Sequence, residues 1–395
     1  MMESDRRQFI RVAAFGSALS TSRILGANDR IRLGVIGTGG RGQLLMDLFK
    51  QCPEVEMVAV CDVYEPRRIE AKENYAAQVR EYGDYRQVLD RKDIDAVVIA
   101  TPNHWHTPMA LAALGAGKDI YLEKPVTHTL EEGPRLSAAV EASGRVVQTG
   151  TQNRSIPHFL QAKEIVASGG LGQVAFVHTY NYANYLRIDP ARIRVDESKL
   201  DWKGFLGPAP DQPFDRLRFR QWRWYWDFGE GTLTDTFTHV VDVAHWFLGQ
   251  DQPVSASATG MNTLLPRWQT PDTVNACYRY PGGLMVVFNS MMGGCLEGLC
   301  TLFRGTKAML RISRAGFSLW EEPDQSFSEG PNTAPPKLDV KPEGNVVLLH
   351  VKNFLDCVRS RKTPNAPIAA GIASARAGHL GNLALRQGRT IMGAG

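Results

Sequence analysis

Six residues, Gly37-Thr38-Gly39-Gly40-Arg41-Gly42, restrict what this chain can fold into more than any other stretch of it. They read G-x-G-x-x-G and directly follow a short apolar run, Ile31–Ile36, so the chain leaves a buried strand, turns sharply and enters a helix. Gly37 permits the tight turn, Gly39 lets backbone approach a pyrophosphate, and Gly42 lets helix and strand pack closely. The helix N-terminus adds free N–H groups and the positive end of its dipole, both suited to phosphate. Asp62 stands 25 residues after Gly37, at the end of the next expected strand, Val55–Cys61. A carboxylate there accepts hydrogen bonds from a ribose 2′-OH and repels a 2′-phosphate. The motif therefore predicts a bound dinucleotide, NAD rather than NADP, a preference that Arg67 and Arg68 nearby temper.

Beyond the loop the strand–helix alternation continues. Apolar spacing predicts helices over 42–49, 66–75, 108–114 and 130–142, and strands over 96–100, 120–122 and 146–148. Pro66 suits a helix start, where its missing N–H costs nothing. The unbroken apolar run 96–100 is that of a strand buried on both faces. Such alternation gives a Rossmann-type, doubly wound parallel sheet over 30–150. From 151 onward the pattern changes. Residues 174–182, 254–262, 273–280 and 284–292 read as longer strands with partial period-two alternation, separated by turns such as Pro281-Gly282-Gly283. This predicts an α+β domain over 151–395 with a large, mostly antiparallel open sheet, a loop over 323–345, and helices over 346–361 and 371–388.

Composition narrows the partners. A net charge of +4 spread over 395 residues leaves no concentrated basic face, so nucleic acid is not an expected partner. No apolar run is long enough to span a bilayer, so stable membrane insertion is not expected either. Residues 1–29 stand apart. Arg6-Arg7 precede a weakly apolar stretch, 12–19, an order that resembles a twin-arginine export signal and predicts a periplasmic or exported protein, with cleavage near Ala27 or an uncleaved leader. The six cysteines (52, 61, 277, 295, 300 and 357) show no CxxC or zinc spacing. A Cys295–Cys300 disulfide is compatible with an oxidising compartment but not required.

Three further motifs accompany the glycine loop. Ala100-Thr101-Pro102-Asn103-His104-Trp105-His106 follows one expected strand, Glu123-Lys124-Pro125 follows another, and Gly229-Glu230-Gly231 precedes Asp235-x-x-x-His239-x-x-Asp242. With these motifs in this order, the chain from residue 31 to its end resembles the Gfo/Idh/MocA oxidoreductases (glucose–fructose oxidoreductase, inositol dehydrogenase and relatives). The resemblance implies that Thr101, Pro102, Asn103 and His106 border the pyrophosphate and nicotinamide end of the cofactor. It implies that Glu123 contacts the nicotinamide ribose and that Lys124 reaches both ribose and substrate hydroxyl. The Lys124–Pro125 peptide is often cis in the family. Trp222-Arg223 resembles a pair that touches the cofactor from the second domain, and Gln152, Asn153 and Arg154 sit where nicotinamide or substrate contacts arise. Glu230, between two glycines, departs from the family's glycine run. Homodimers or homotetramers are implied as well.

If 232–247 is one helix, Asp235, His239 and Asp242 fall within about 60° of arc on one face, and His245 points elsewhere. Oxidising an alcohol needs a base for the hydroxyl proton, a task suited to His239. Asp235 would orient the imidazole or share the substrate hydroxyls, and Lys124 would stabilise the nascent alkoxide. Lys124, Asp235 and His239 are therefore the expected catalytic residues. The same Asp–His spacing also occurs as a structural pair, and the three side chains of the helix could ligate a metal, although hydride transfer needs none and none is expected. Flat aromatic rings suit sugar faces, so Trp224 and Tyr182 join Asn153, Arg154 and Asp242 as expected substrate contacts. The expected activity is NAD(P)-dependent hydride transfer to or from a carbohydrate: a sugar, polyol or sugar derivative. The cofactor would be tightly held, because free NAD is scarce outside the cytoplasm. Two alternatives stay open: an NAD-dependent glycosidase or lyase working through transient sugar oxidation, and a non-catalytic sugar-binding protein.

Overall fold

Short apolar strands alternating with helices fold into a layered parallel sheet. The computed structural model describes residues 30–75, 78–323, 330 and 334–393, so the twin-arginine reading of 1–29 lies outside the described residues. Strands β1 (Ile31–Ile36), β2 (Val55–Cys61), β3 (Arg80–Tyr82), β4 (Ala96–Ile99), β5 (Asp119–Leu122) and β6 (Val147–Thr149) pair in the order β3-β2-β1-β4-β5-β6, all parallel. Strand order reverses between β1 and β4, which opens a crevice at their carboxyl ends, where the glycine loop lies. Strand β3 and the helix Tyr85–Leu89 are absent from the sequence reading, because Arg-Glu-Tyr carries no apolar run.

The second sheet holds β7 (Val174–Tyr182), β8 (Ser255–Met261), β9 (Thr273–Arg279), β10 (Met285–Met291), β11 (Leu299–Gly305), β12 (Ala308–Ser313), β13 (Gly316–Glu321), β14 (Leu338–Val340) and β15 (Ile391–Met392). Their order is β14-β13-β12-β11-β7-β10-β9-β8-β15, and only β10 and β7 run parallel. The sheet is thus mostly antiparallel, as expected, but larger than the four strands read from sequence. Arg304 and Arg311 interrupt the apolar pattern of β11 and β12, and β14 falls inside the stretch expected to be loop. Helix Phe237–Leu248 packs on one face, with Phe247 stacked on Phe303 (5.2 Å) and Phe237 on Tyr278 (4.8 Å). All six cysteines are free, with Cys300 buried and Cys295 exposed, so no Cys295–Cys300 disulfide forms.

Two features place the site. The helix expected over 232–247 is broken at Thr236 into Thr232–Asp235 and Phe237–Leu248. In a continuous helix the Asp235 carbonyl would accept from the His239 N–H. Instead it accepts from Lys124 Nζ (2.6 Å) and Thr238 Oγ1 (3.0 Å), and His239 N donates to Thr236 O (3.1 Å). Threonine hydroxyls bonding back to carbonyls bend helices in this way. Secondly, the stretch 185–230 folds back across the parallel sheet. Asp201 N donates to Val63 O (2.9 Å), while His104 Nε2 and Trp105 Nε1 both lie 2.9 Å from Phe205 O. Tyr64, Phe205, Phe219 and Phe228 form a small aromatic core beneath this cover. At Gly207 the φ of 50° and the Trp105 ring, 1.9 Å from where a Cβ would sit, leave room only for glycine.

Candidate active site

The crevice is a cleft of about 440 Å³ walled by the glycine loop, Asp62, Thr101 and Pro102 on one side and by Phe205, Phe219, Trp222 and Arg223 of the cover on the other. Gly37 has φ 89°, and a Cβ on Gly42 would stand 1.9 Å from the Gly37 carbonyl oxygen, so the loop closes on its own backbone. Around Gly40 there is open space. Helix Gly40–Lys50 has no side-chain cap and no acid in its first turn, so its first N–H groups face the cleft unanswered. The Thr101 hydroxyl lines the same cleft, buried and without a partner. An open cradle of donors of this kind fits a dinucleotide pyrophosphate. Asp62 accepts from Thr38 N (2.9 Å) and Tyr64 N (3.0 Å) and lies 3.9 Å from Arg67, so it braces the loop as well as facing the cleft.

At the far end the cleft meets a chain of charges. Arg41 Nε donates to Glu123 (2.7 Å). Lys124, after which the peptide to Pro125 is cis, donates to the Asp235 carboxylate (2.8 Å), and Arg223 lies 3.4 Å from the same oxygen. Burial pushes the Asp235 carboxyl up, but Lys124 and Arg223 outweigh it and hold it below its ordinary value. Asp235 therefore positions Lys124 rather than orienting His239. The His239 imidazole makes no hydrogen bond to any described residue, and its Nδ1 is buried without a partner. Burial, reinforced by Lys124, Arg314 and Arg41, keeps its pKa well below the ordinary value, so the ring is neutral.

The remaining expected residues divide. Gln152 and Asn153 reach the site: the Asn153 amide lies 3.5 Å from the His239 carbonyl, and the Gln152 amide accepts from Arg314 Nη2 (2.8 Å). Arg154 and Asp242 hold each other in a bidentate pair (Nε to Oδ2 2.9 Å, Nη2 to Oδ1 2.9 Å) with Asp242 fully buried, so neither is presented to a ligand as expected. Trp224 is likewise turned inward, 2% exposed and stacked on Trp268 at 4.1 Å. Tyr182 stacks on Tyr180 (5.6 Å) on the sheet face that does not carry Phe237–Leu248, whereas Tyr185 lies within the field of Asp235 and Arg223. Arg314, on the turn between β12 and β13, is a site residue the sequence reading missed.

Similarity to known proteins accords with this layout. Residues 31–151 match a family model described as "Oxidoreductase family, NAD-binding Rossmann fold", and residues 204–311 match the GFO/IDH/MocA C-terminal domain, together more than half of the chain. The chain belongs to the Gfo/Idh/MocA oxidoreductase family. Inositol 2-dehydrogenase of Salmonella typhimurium is 35% identical over 223 residues, 56% of this chain and 55% of that protein. Levoglucosan dehydrogenase of Pseudarthrobacter phenanthrenivorans is 32% identical over 175 residues, 44% of this chain and 38% of that protein. The chain thus spans about half the length or less of these curated relatives. Among solved structures, a levoglucosan dehydrogenase complexed with NADH and L-sorbose superposes with a TM-score of 0.73 at 18% identity, covering 92% of this chain and 99% of that one. The aldose–aldose oxidoreductase of Caulobacter crescentus gives 0.69 at 21%, with 92% and 99% covered. At these identities the superpositions establish the fold.

Against the family expectation, two residues of the Thr101–His106 loop are turned away from the cleft. Asn103 donates to Gly229 O (3.1 Å), and His106 is sealed between the carbonyls of Pro125 (2.6 Å) and Thr101 (2.9 Å). They hold the Lys124–Pro125 segment and the Gly229-Glu230-Gly231 turn in place rather than touching a ligand. Glu230 itself has φ 63°, and its carboxylate lies 3.1 Å from His379 Nδ1, an anchor that keeps this non-glycine residue in the left-handed region.

Proposed function

We propose that this protein oxidises a secondary alcohol of a sugar or polyol with NAD, which it keeps as a resident group. The observation that carries the reading is Lys124, fixed by Asp235 at the end of the dinucleotide cleft beside an unpartnered, neutral His239. When bound, NAD supplies the hydride acceptor. His239 takes the hydroxyl proton as hydride leaves the same carbon, so a ketone, NADH and a proton result. The Lys124 ammonium faces the developing alkoxide, an attraction of about 4 kcal/mol for charges about 4 Å apart at an effective dielectric of about 20. Asp235 restricts Lys124 to one position, so little reorganisation is left for the reaction itself.

NAD is preferred to NADP in this reading because Asp62 lines the ribose end of the cleft. Support for a resident cofactor comes from the cover, which walls the cleft opposite the glycine loop, and from the Arg6-Arg7 leader, which would send the folded protein out of the cytoplasm. Such an exported enzyme would reoxidise its NADH on a second carbohydrate, and would work as a homodimer or homotetramer. Mass spectrometry of the denatured protein, followed by a sugar screen on nicotinamide absorbance, tests the proposal. Stoichiometric NAD and a sugar-dependent rise in absorbance are expected; an empty protein that no sugar reduces in the presence of added NAD would refute it. Release of a leaving group without lasting NADH would assign the glycosidase or lyase chemistry instead.

A further inference from the structure

The charges at the reactive end pair off, with one exception. Lys124 and Arg223 share Asp235, Arg41 holds Glu123, and Arg154 holds Asp242. Arg314 has no carboxylate partner among the described residues. It arrives from the β12–β13 turn, which His158 steadies through the Ser313 carbonyl (2.9 Å). Its Nε donates to Asn153 Oδ1 (3.2 Å) and one Nη2 hydrogen goes to the Gln152 amide oxygen (2.8 Å). Both amides are almost fully buried, whereas Arg314 itself is exposed. The Asn153 amide that grips Arg314 also lies 3.5 Å from the His239 backbone carbonyl, and the guanidinium is close enough for its charge to act on the His239 ring. The single carboxylate lining the adjoining cavity, Glu297, makes no ion pair with it.

This arrangement leaves a particular edge free. Two neutral amides fix the plane of the guanidinium, and the Nη1–Nη2 edge remains unused. That edge is a flat, charged fork matched to a carboxylate, which it would engage by two parallel hydrogen bonds. Neutral amides position the fork without neutralising it, so the surplus positive charge is kept for a ligand. We propose that Arg314 makes this an enzyme for acidic sugars: it binds the carboxylate of a uronate or aldonate while another carbon presents its hydroxyl to Lys124 and His239. A tetrahedral, more highly charged phosphate matches a single planar fork less well. The proposal rests on the dehydrogenase reading, but its binding half can be tested apart from turnover.

The test compares D-glucuronate and D-galacturonate with D-glucose, D-galactose and D-glucose 6-phosphate on the NAD-loaded protein, wild type and Arg314→Gln. Nicotinamide reduction and calorimetric binding are both read. The wild type is expected to favour a uronate over its neutral sugar by about 100-fold in kcat/KM, and Arg314→Gln to lose most of that preference through KM, neutral sugars losing far less than the uronates. Arg314→Lys, which keeps the charge but not the fork, should fall between them. Equal loss on acidic and neutral sugars, or a preference for the phosphate, would overturn the proposal. If no sugar reduces the nicotinamide, the dehydrogenase reading fails. Tighter binding of uronate that disappears in Arg314→Gln would then still support the carboxylate site, and uronate binding unchanged by the substitution would still refute it.

Discussion

The two ends of the cleft are built from different materials. At the cofactor end, shape comes from main chain: Gly37 and Gly42 close on each other, and unanswered N–H groups face outward. At the reactive end, shape comes from side chains far apart in sequence, as in the Lys124–Asp235 pair, 111 residues apart, and the Arg314–Asn153 contact, 161 apart. The first end tolerates almost no change of residue size. The second tolerates size changes better than changes of charge, because its order depends on ion pairs in a partly desolvated place.

The comparison breaks most visibly at the glycine loop. Gly42→Ala places a methyl 1.9 Å from a carbonyl oxygen that cannot retreat without moving β1. The expected result is loss of bound dinucleotide and about 3–5 kcal/mol of stability, read by cofactor release on denaturation and by chemical unfolding. A variant that folds and carries NAD normally would show that the loop is less constrained than its geometry implies.

The aromatic cluster sharpens the contrast from the substrate side. Trp224 is sealed against Trp268, whereas Trp222 lines the cleft beneath Arg223, 4.3 Å from its ring centroid. Trp224→Ala should therefore cost about 3 kcal/mol of stability. Trp222→Ala should cost under about 1 kcal/mol but weaken cofactor retention. Equal stability losses would contradict the division of roles.

How much of this was legible in the sequence follows the same line. The glycine loop, Asp62, Glu123 and Lys124 sit at strand ends in contiguous motifs, where local pattern fixes their position. Asp235 and His239 were found, but the roles differ, because the helix breaks where Lys124 captures the Asp235 carbonyl. Spacing on an ideal helix also put Asp242 beside them, whereas Arg154 takes its carboxylate into the core. Trp224 could not be told from Trp222 because adjacent aromatics face different ways, and only Trp268, 44 residues on, decides which one is core. Arg314 carries no local signal at all. It enters through a hairpin whose strands the apolar pattern did not reveal.

A further expected effect, of pH, spans both regions. Burial lowers His104 and His245 to about 3 and His350 to about 4, from an ordinary value of 6.5. The unfolded chain takes up these protons just below pH 6.5 and the native chain does not. Stability is therefore full above that pH and falls toward pH 4, by at most about 1.4 kcal/mol per pH unit for each histidine. His379 acts the other way: burial lowers it, but Glu230 more than compensates, so its contribution is greatest at low pH and is lost as pH rises through its raised value. Denaturant midpoints between about pH 7 and about pH 5 should fall on balance. A rise would mean that these histidines are solvated in the native state.

The most direct test is the rate at which a sugar reduces the nicotinamide of NAD-loaded protein, compared between wild type and Lys124→Ala. The account predicts a fall of about 1,000-fold or more with the dinucleotide still bound, since Lys124 meets the reacting hydroxyl and not the pyrophosphate. Reduction by Lys124→Ala at the wild-type rate would contradict it.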